Sequence, residues 1–236
     1  ANITAVHSPV MAHSKLLRQH FGDAIRIVFI GPCIAKKTEA DEHRDLLDIA
    51  LTFEELNDWF RQMKLDPYTM TPDKNDRFVP FSAEEGALYP VEGGMITTIQ
   101  ALGAKDTVRY VAVSGIDNIC KTLKGLEETS LQHPVFVEAL GCEGGCIGGP
   151  CAKASGALLG KRILVEDHAI IPPLPVVREH TLDITETFTP APAAPPAPDP
   201  ALVRDALRRI GKRLPEDELN CSGCGYNTCR EFAAAL

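Results

Sequence analysis

Eight cysteines, at positions 33, 120, 142, 146, 151, 221, 224 and 229, carry most of the chemistry available to this 236-residue chain. Six of them sit in close runs. Small secreted domains need disulfides because their cores are small, but this chain is long enough to bury a core, so clustered cysteines read better as metal ligands. The run Cys221-Ser-Gly-Cys224-Gly-Tyr-Asn-Thr-Cys229 has the spacing Cys-x2-Cys-x4-Cys. Thiolates held this close suit an iron–sulfur cluster, and Gly223 and Gly225 let the backbone fold around an inorganic core without Cβ clashes. A tetrahedral zinc ion would want a fourth ligand, and no nearby His supplies one in sequence. Iron–sulfur, zinc and no metal stay open on spacing alone, in that order of preference. Upstream, Cys142-Glu-Gly-Gly-Cys146 forms a Gly-rich pair, and Gly31-Pro32-Cys33 is followed by Lys36, Lys37 and Glu39. A lysine three residues after a ligand cysteine can approach an anionic cofactor. The plain alternative makes Cys33 a buried strand-end thiol and both lysines solvated charges.

The other reactive side chains read as bystanders. Cys120 falls on the expected inward face of a helix, as packing. Cys151 follows the Gly-rich pair and reads as a bystander before a pocket thiol. His7, His13, His20, His43, His133, His168 and His180 lack ligand spacing; His7, beside Ser8, is the one to test. Trp59 reads as a partly buried packing residue. No Walker loop or Rossmann fingerprint is present.

The elements that must position the cysteines follow from caps and periodicity. Ser8-Pro9 starts a helix that Gly22 stops. Ile25–Ile30 reads as a buried strand running directly into Cys33. A short strand near Ile49–Leu51 precedes a capping box, Thr52 with Glu55, that opens a helix bearing Phe53, Leu56, Phe60 and Met63. Residues 66–94 are loop-rich. A short apolar helix near 95–102 and a strand over Val108–Ser114 come next. A helix capped by Asp117 or Asn118 follows, with Ile119, Leu123 and Leu126 inward. A strand over Pro134–Leu140 then runs into Cys142. Strands alternating with helices predict an α/β fold with mostly parallel sheets flanked by helices. At least two strands deliver cysteine loops at their C-terminal ends, where open α/β sheets bind ligands.

Charge and composition divide the chain. It holds 24 Lys+Arg against 32 Asp+Glu, a net of −8, which argues against nucleic-acid and anionic-membrane partners. No apolar run reaches the ~18 residues of a membrane span, and no signal peptide is visible, so a cytoplasmic location is expected. Residues 189–200 carry six prolines and read as an extended linker. The expected organisation is a large domain over 1–185, a linker over 186–200 and a small helical module over 201–236. In the module, Asp199-Pro200 starts a helix with Leu202, Ala206, Leu207 and Ile210 on one face, ended by Gly211.

The motifs together resemble iron-only (FeFe) hydrogenases. Gly31-Pro-Cys-Ile-Ala-Lys-Lys-Thr-Glu39 is similar to that family's second cysteine motif, and Glu138-Ala-Leu-Gly-Cys-Glu-Gly-Gly-Cys-Ile-Gly-Gly149 to its third. Leu51–Leu56 and Val113–Asn118 are similar to intervening segments. The stretch Leu214–Ala234 resembles a small four-iron, four-sulfur domain. The resemblance implies a two-lobed domain with a 4Fe-4S cluster joined by one cysteine to a di-iron unit that carries CO and cyanide. It implies Cys33 and Cys142 as cluster ligands and Cys146 as the bridging ligand. Lys36 would donate to a cyanide, Glu39 would orient or neutralise that Lys, and Pro32 would line the pocket. Cys221, Cys224 and Cys229 would hold a second 4Fe-4S cluster. Molecular hydrogen is the implied substrate, and a ferredoxin or a downstream sensory or signalling domain the implied partner.

Departures from the family are equally informative. Its first cysteine motif, with one cluster ligand and a proton-relaying Cys, is expected upstream of Ala1, and the tail's fourth Cys beyond Leu236. The chain therefore reads as truncated at both ends and inactive alone. Thr4 falls where a hydroxyl-bearing relay residue is expected. Gly31 and Leu140 stand where catalytic members carry Met. The segments Glu85-Gly86 and Glu92-Gly93-Gly94-Met95 also differ from the catalytic pattern. These changes resemble the family's divergent, sensory branch and leave two readings: a hydrogen-activating protein, enzyme or sensor, or a non-catalytic iron–sulfur electron carrier or scaffold.

Overall fold

The computed structural model describes residues 2–152, 156–172, 182–189 and 198–236; most of the Pro/Ala linker (190–197) and His180 lie outside them. The chain divides into two compact units, Ala1–Glu186 and Thr187–Leu236. The first is an α/β unit in two lobes.

In the first lobe, α1 (Pro9–Phe21) starts where the Ser8 side chain accepts the Met11 N–H, and it ends at Gly22. Strand β1 (Val28–Ile30) pairs in parallel with β2 (Ile49–Leu51), with Val28 opposite Ile49. Helix α2 (Ala35–Glu42) makes the crossover, and α3 (Phe53–Gln62) follows the Thr52–Glu55 capping box. The core gathers Met11, Ile27, Ala40, Leu47 and Ala50. Full burial of a side chain the size of Met11, Ile27 or Leu47 stabilises by about 1.5–3 kcal/mol.

β1 is shorter than the apolar run Ile25–Ile30 suggests. The Asp48 carboxylate accepts the Ile27 N–H at 2.8 Å, so that N–H goes to a side chain, while the Ile27 carbonyl accepts the Asp48 N–H at 3.1 Å. Nor is the strand buried on both faces: Val28 and Ile30 are about 40% exposed in a two-stranded sheet. Trp59 is exposed, and α3 has no fully buried residue.

In the second lobe, α4 (Gly94–Ala101) precedes β3 (Arg109–Ser114). Helix α5 (Ile116–Glu128) links β3 to β4 (Val135–Leu140). β3 and β4 pair in parallel with Arg109 opposite Val135 and Ser114 opposite Leu140. The N-terminus of α4 is held by the buried Glu138 of β4, which accepts the Gly93 and Ile96 N–H groups at 3.1 and 3.0 Å. A carboxylate there meets both unpaired amides and the positive end of the helix. α6 (Leu158–His168) packs beside a small core of Leu88, Val91 and Ile147.

Neither Asp117 nor Asn118 caps α5. Gly115 takes the cap position at φ 84°, and the Asn118 amide turns back to donate to the Ser114 carbonyl at 3.0 Å. Cys120 and Leu123 are exposed, correcting their placement in the core; Ile119 and Leu126 are half-buried.

The second unit pairs α7 (Pro200–Arg209) with α8 (Cys229–Ala234) through Leu207 and Ala233, both 4% exposed. Asp199 caps α7 by accepting the Ala201 N–H. Leu202 points to solvent and the half-buried Val203 takes its place, because the packed face is set by α8.

Candidate metal centre

Both upstream cysteine motifs sit where parallel strands end. β1 runs into Gly31-Pro32-Cys33, with the Gly31 N–H donating to the Leu51 carbonyl of β2 at 3.0 Å. β4 runs into Gly141-Cys142, with the Gly115 N–H donating to Leu140 at 2.9 Å. The lobes meet at these loops. A Cβ on Gly149 would stand 3.3 Å from the Pro32 carbonyl, 3.0 Å from the Cys146 carbonyl and 3.7 Å from the Cys142 Sγ. The missing side chain is what lets that backbone lie against the Pro32 carbonyl of one lobe and the Cys146 carbonyl of the other.

Cys33, Cys142 and Cys146 are half-buried free thiols brought near one another. Burial pushes the Cys146 thiol up, the thiolates of Cys33 and Cys142 push it further, and the Lys36 ammonium opposes them. Lys36 is thus part of the same electrostatic neighbourhood. Its ammonium donates to the Glu39 carboxylate one helical turn away, both side chains being 21% exposed. Lys37 does something else. It bonds both Glu55 oxygens at 2.7 and 2.9 Å and the Ala50 carbonyl at 3.1 Å, tying α2 to α3. That contact, with the Thr52 N–H, holds the Glu55 carboxyl down to about 2.

Pro32 lines an apolar groove of about 680 Å³ with Phe53, Leu56, Pro90, Ile147 and Cys151. Cys151 is therefore a wall thiol of this groove. His7 is not part of the centre: its Nδ1 stands 2.6 Å from a Glu186 oxygen, with the His43 ring edge-on at 5.9 Å. Thr4 is exposed.

In the second unit, Cys221 and Cys224 are exposed and Cys229 is half-buried. Cys229 opens α8 behind a Thr228–Glu231 capping box, and its N–H donates to Asn220 Oδ1 at 2.8 Å. Asn220 and Ser222 flank Cys221 at φ 48° and 59°. Two non-glycine residues in the left-handed region cost about 1–3 kcal/mol each, a strain that collects at functional sites. A Cβ on Gly223 would meet Cys221 Sγ at 3.6 Å.

The donor set suits a group that takes soft thiolates, since each unit contributes a set of three free cysteines. Among the described residues, no three or more His, Cys, Asp or Glu side chains are placed to hold a metal ion. A four-iron cluster puts each thiolate on a different iron, so its ligands need not touch. No helix of the described residues is long and apolar enough to cross a membrane.

Two features escaped sequence reasoning. The Phe29 ring fills the space above Gly31, where a Cβ would meet its Cζ at 2.6 Å. Ser114 and Glu92, 22 residues apart, meet under the Cys142–Cys146 loop. Ser114 ends a parallel strand, and that position was the available signal.

The family described as "Iron only hydrogenase large subunit, C-terminal domain" matches residues 1–150, and the one described as "Putative Fe-S cluster" matches residues 215–236. Among solved structures, the fold is similar to the FeFe-hydrogenase HydA1 from Chlamydomonas reinhardtii. The two are 17% identical with a TM-score of 0.51, covering 69% of this chain and 59% of that one. A structure reporting stepwise FeFe-hydrogenase H-cluster assembly gives the same values. One reporting oxygen inactivation through the H cluster 2Fe subcluster is 18% identical, TM-score 0.52, over 70% and 60%. The chain thus spans 59–60% of the length of these hydrogenases. With a family match across residues 1–150, well over half of its length, the chain belongs to the iron-only hydrogenase large-subunit family.

Proposed function

We propose that the first unit holds a 4Fe-4S cluster through Cys33 and Cys142, with Cys146 bridging to a di-iron unit bearing CO and cyanide. The second unit would hold another 4Fe-4S cluster through Cys221, Cys224 and Cys229. The reading rests on one observation: two cysteine loops, 109 residues apart from Cys33 to Cys142, meet at the ends of parallel strands, where Gly149 lies against the Pro32 carbonyl and beside Cys142 Sγ. When bound, such a cofactor supplies heterolytic cleavage of molecular hydrogen and an exit for its electrons.

The chain's own residues supply ligands, charge and dryness. Glu39 holds the Lys36 ammonium as a directed donor for an anionic ligand. Pro32 and Ile147 line the apolar groove, and Pro32 has no N–H to leave unpaired there. Gly31 under the Phe29 ring favours sensing over fast turnover, since that ring takes the volume where catalytic relatives carry a thioether. Electrons would pass to a ferredoxin or a downstream signalling domain. The cytoplasm, where thiols stay reduced, suits eight free cysteines.

The test is infrared spectroscopy of the complete gene product, expressed without oxygen alongside the family's maturation machinery. Iron-bound CO and cyanide bands are expected. Iron–sulfur absorbance without those bands leaves an electron carrier and ends the hydrogen reading; no iron at all ends both.

A further inference from the structure

We propose that Glu92 and Ser114 are a positioning pair that fixes the Cys142–Cys146 loop and sets the charge beside it; this role rests on the reading of that loop as a cluster ligand loop. Ser114 is the last residue of β3 and is 9% exposed. The Gly144 N–H, midway between the two cysteines, donates to Ser114 Oγ at 2.9 Å. The Ser114 hydroxyl in turn donates to Glu92 Oε2. The circuit closes through the main chain, where the Glu92 N–H donates to the Gly144 carbonyl at 3.3 Å. An antiparallel bridge between Val91 and Gly145 and the Ile147 N–H on the Pro90 carbonyl extend the same seam.

A hydroxyl has one proton and must spend it in one direction. With that proton on the Glu92 carboxylate, a Ser114 lone pair faces Gly144 N–H. The carboxylate therefore orients the hydroxyl, and the hydroxyl keeps the Gly144 amide turned toward Ser114. Bonds to an ionised acceptor are the stronger kind, which suits a loop that must hold two ligands in register. Glu92 also places a negative charge one short chain of bonds from the cysteines. It lines a cavity of about 520 Å³ with Ser114, Asn118, Glu143 and Arg162, and Arg162 is itself paired to Glu166 at 2.7 Å. A fixed negative charge there disfavours adding an electron to a cluster on this loop.

The test uses the full chain with Cys221→Ser, Cys224→Ser and Cys229→Ser to silence the second unit, reconstituted anaerobically with iron and sulfide. Amide exchange at Gly144 is measured without iron, and the midpoint potential and electron paramagnetic resonance of the cluster are measured with it. Ser114→Ala should speed Gly144 exchange at least tenfold, and Ser114→Thr should restore protection. Glu92→Gln, which keeps the shape but replaces the ionised acceptor with a neutral one, should speed Gly144 exchange less than Ser114→Ala does and move the potential positive. Unchanged Gly144 exchange in Ser114→Ala, or an unchanged potential in Glu92→Gln, overturns the pair's role while the parent still binds iron. A parent that binds no iron overturns the cluster reading instead, and this role with it.

Discussion

Gly145→Ala should cost more than its backbone alone explains, and Gly22→Ala supplies the matched comparison. Gly145 sits at φ 96°, ψ −162° and Gly22 at φ 85°, ψ 169°. Both fall in the region open essentially only to glycine, so both substitutions carry about 1–3 kcal/mol of backbone strain. Their surroundings differ. A Cβ at Gly22 meets nothing within 4 Å; at Gly145 it would stand 2.4 Å from the Pro90 carbonyl oxygen and 3.1 Å from Val91 Cα. Those atoms are backbone and bridge Gly145 itself, so relief means breaking the Val91–Gly145 seam. Forced overpacking of this kind adds about 1–3 kcal/mol. With a urea m-value near 2 kcal/mol/M, a 2 kcal/mol difference lowers the midpoint of Gly145→Ala by about 1 M below that of Gly22→Ala. Trp59, the one tryptophan, reports the first unit by fluorescence. Equal midpoints for the two variants would refute the argument that the cysteine loop is pressed against Pro90–Glu92.

Acid should weaken the α2–α3 contact. Glu55 is held at about 2 against an ordinary 4.5, so its contribution is present above about 4.5 and fades as pH falls toward 2; Lys37→Gln should flatten that part of the stability profile, and an unchanged slope contradicts it. Gly31→Met should destabilise the first unit by about 1–3 kcal/mol through Phe29, and Phe29→Ala should relieve part of that. A double-mutant cycle reads the coupling, and strictly additive costs would mean the ring does not fill the site. In iron-free protein, timed alkylation with mass spectrometry should label the exposed Cys120, Cys221 and Cys224 before Cys146, whose thiol is raised chiefly by burial. Labelling of Cys146 as fast as Cys120 would contradict the burial of its thiol.

Local signals were the legible part of the fold. Ser8-Pro9, Thr52 with Glu55, and Asp199-Pro200 each name a helix start by chemistry within three residues, and each helix begins there. The strands leading into Cys33 and Cys142 were visible as apolar runs with a glycine stop. What depended on distant partners was not. Asp48 shortens β1 from 21 residues away. Asn118 gives up its capping role because Ser114's carbonyl is within reach. Cys120 and Leu202 were placed by helical period, but which face is covered is decided by the neighbouring elements, and these faces are open. The cysteine motifs were legible because iron ligands demand soft donors at close spacing, whereas Glu92 and Ser114 carry no such spacing and meet only after β3 and β4 are paired.

The most direct measurement is the iron and acid-labile sulfide content of the anaerobically reconstituted chain, compared with variants of each cysteine set. The wild type should hold two independent clusters. Cys33→Ser with Cys142→Ser and Cys146→Ser should remove the first unit's iron and leave the second unit's spectrum intact, and Cys221→Ser with Cys224→Ser and Cys229→Ser should do the reverse. Iron content unchanged by loss of Cys33, Cys142 and Cys146 would contradict the assignment of a metal centre to the meeting point of the two lobes.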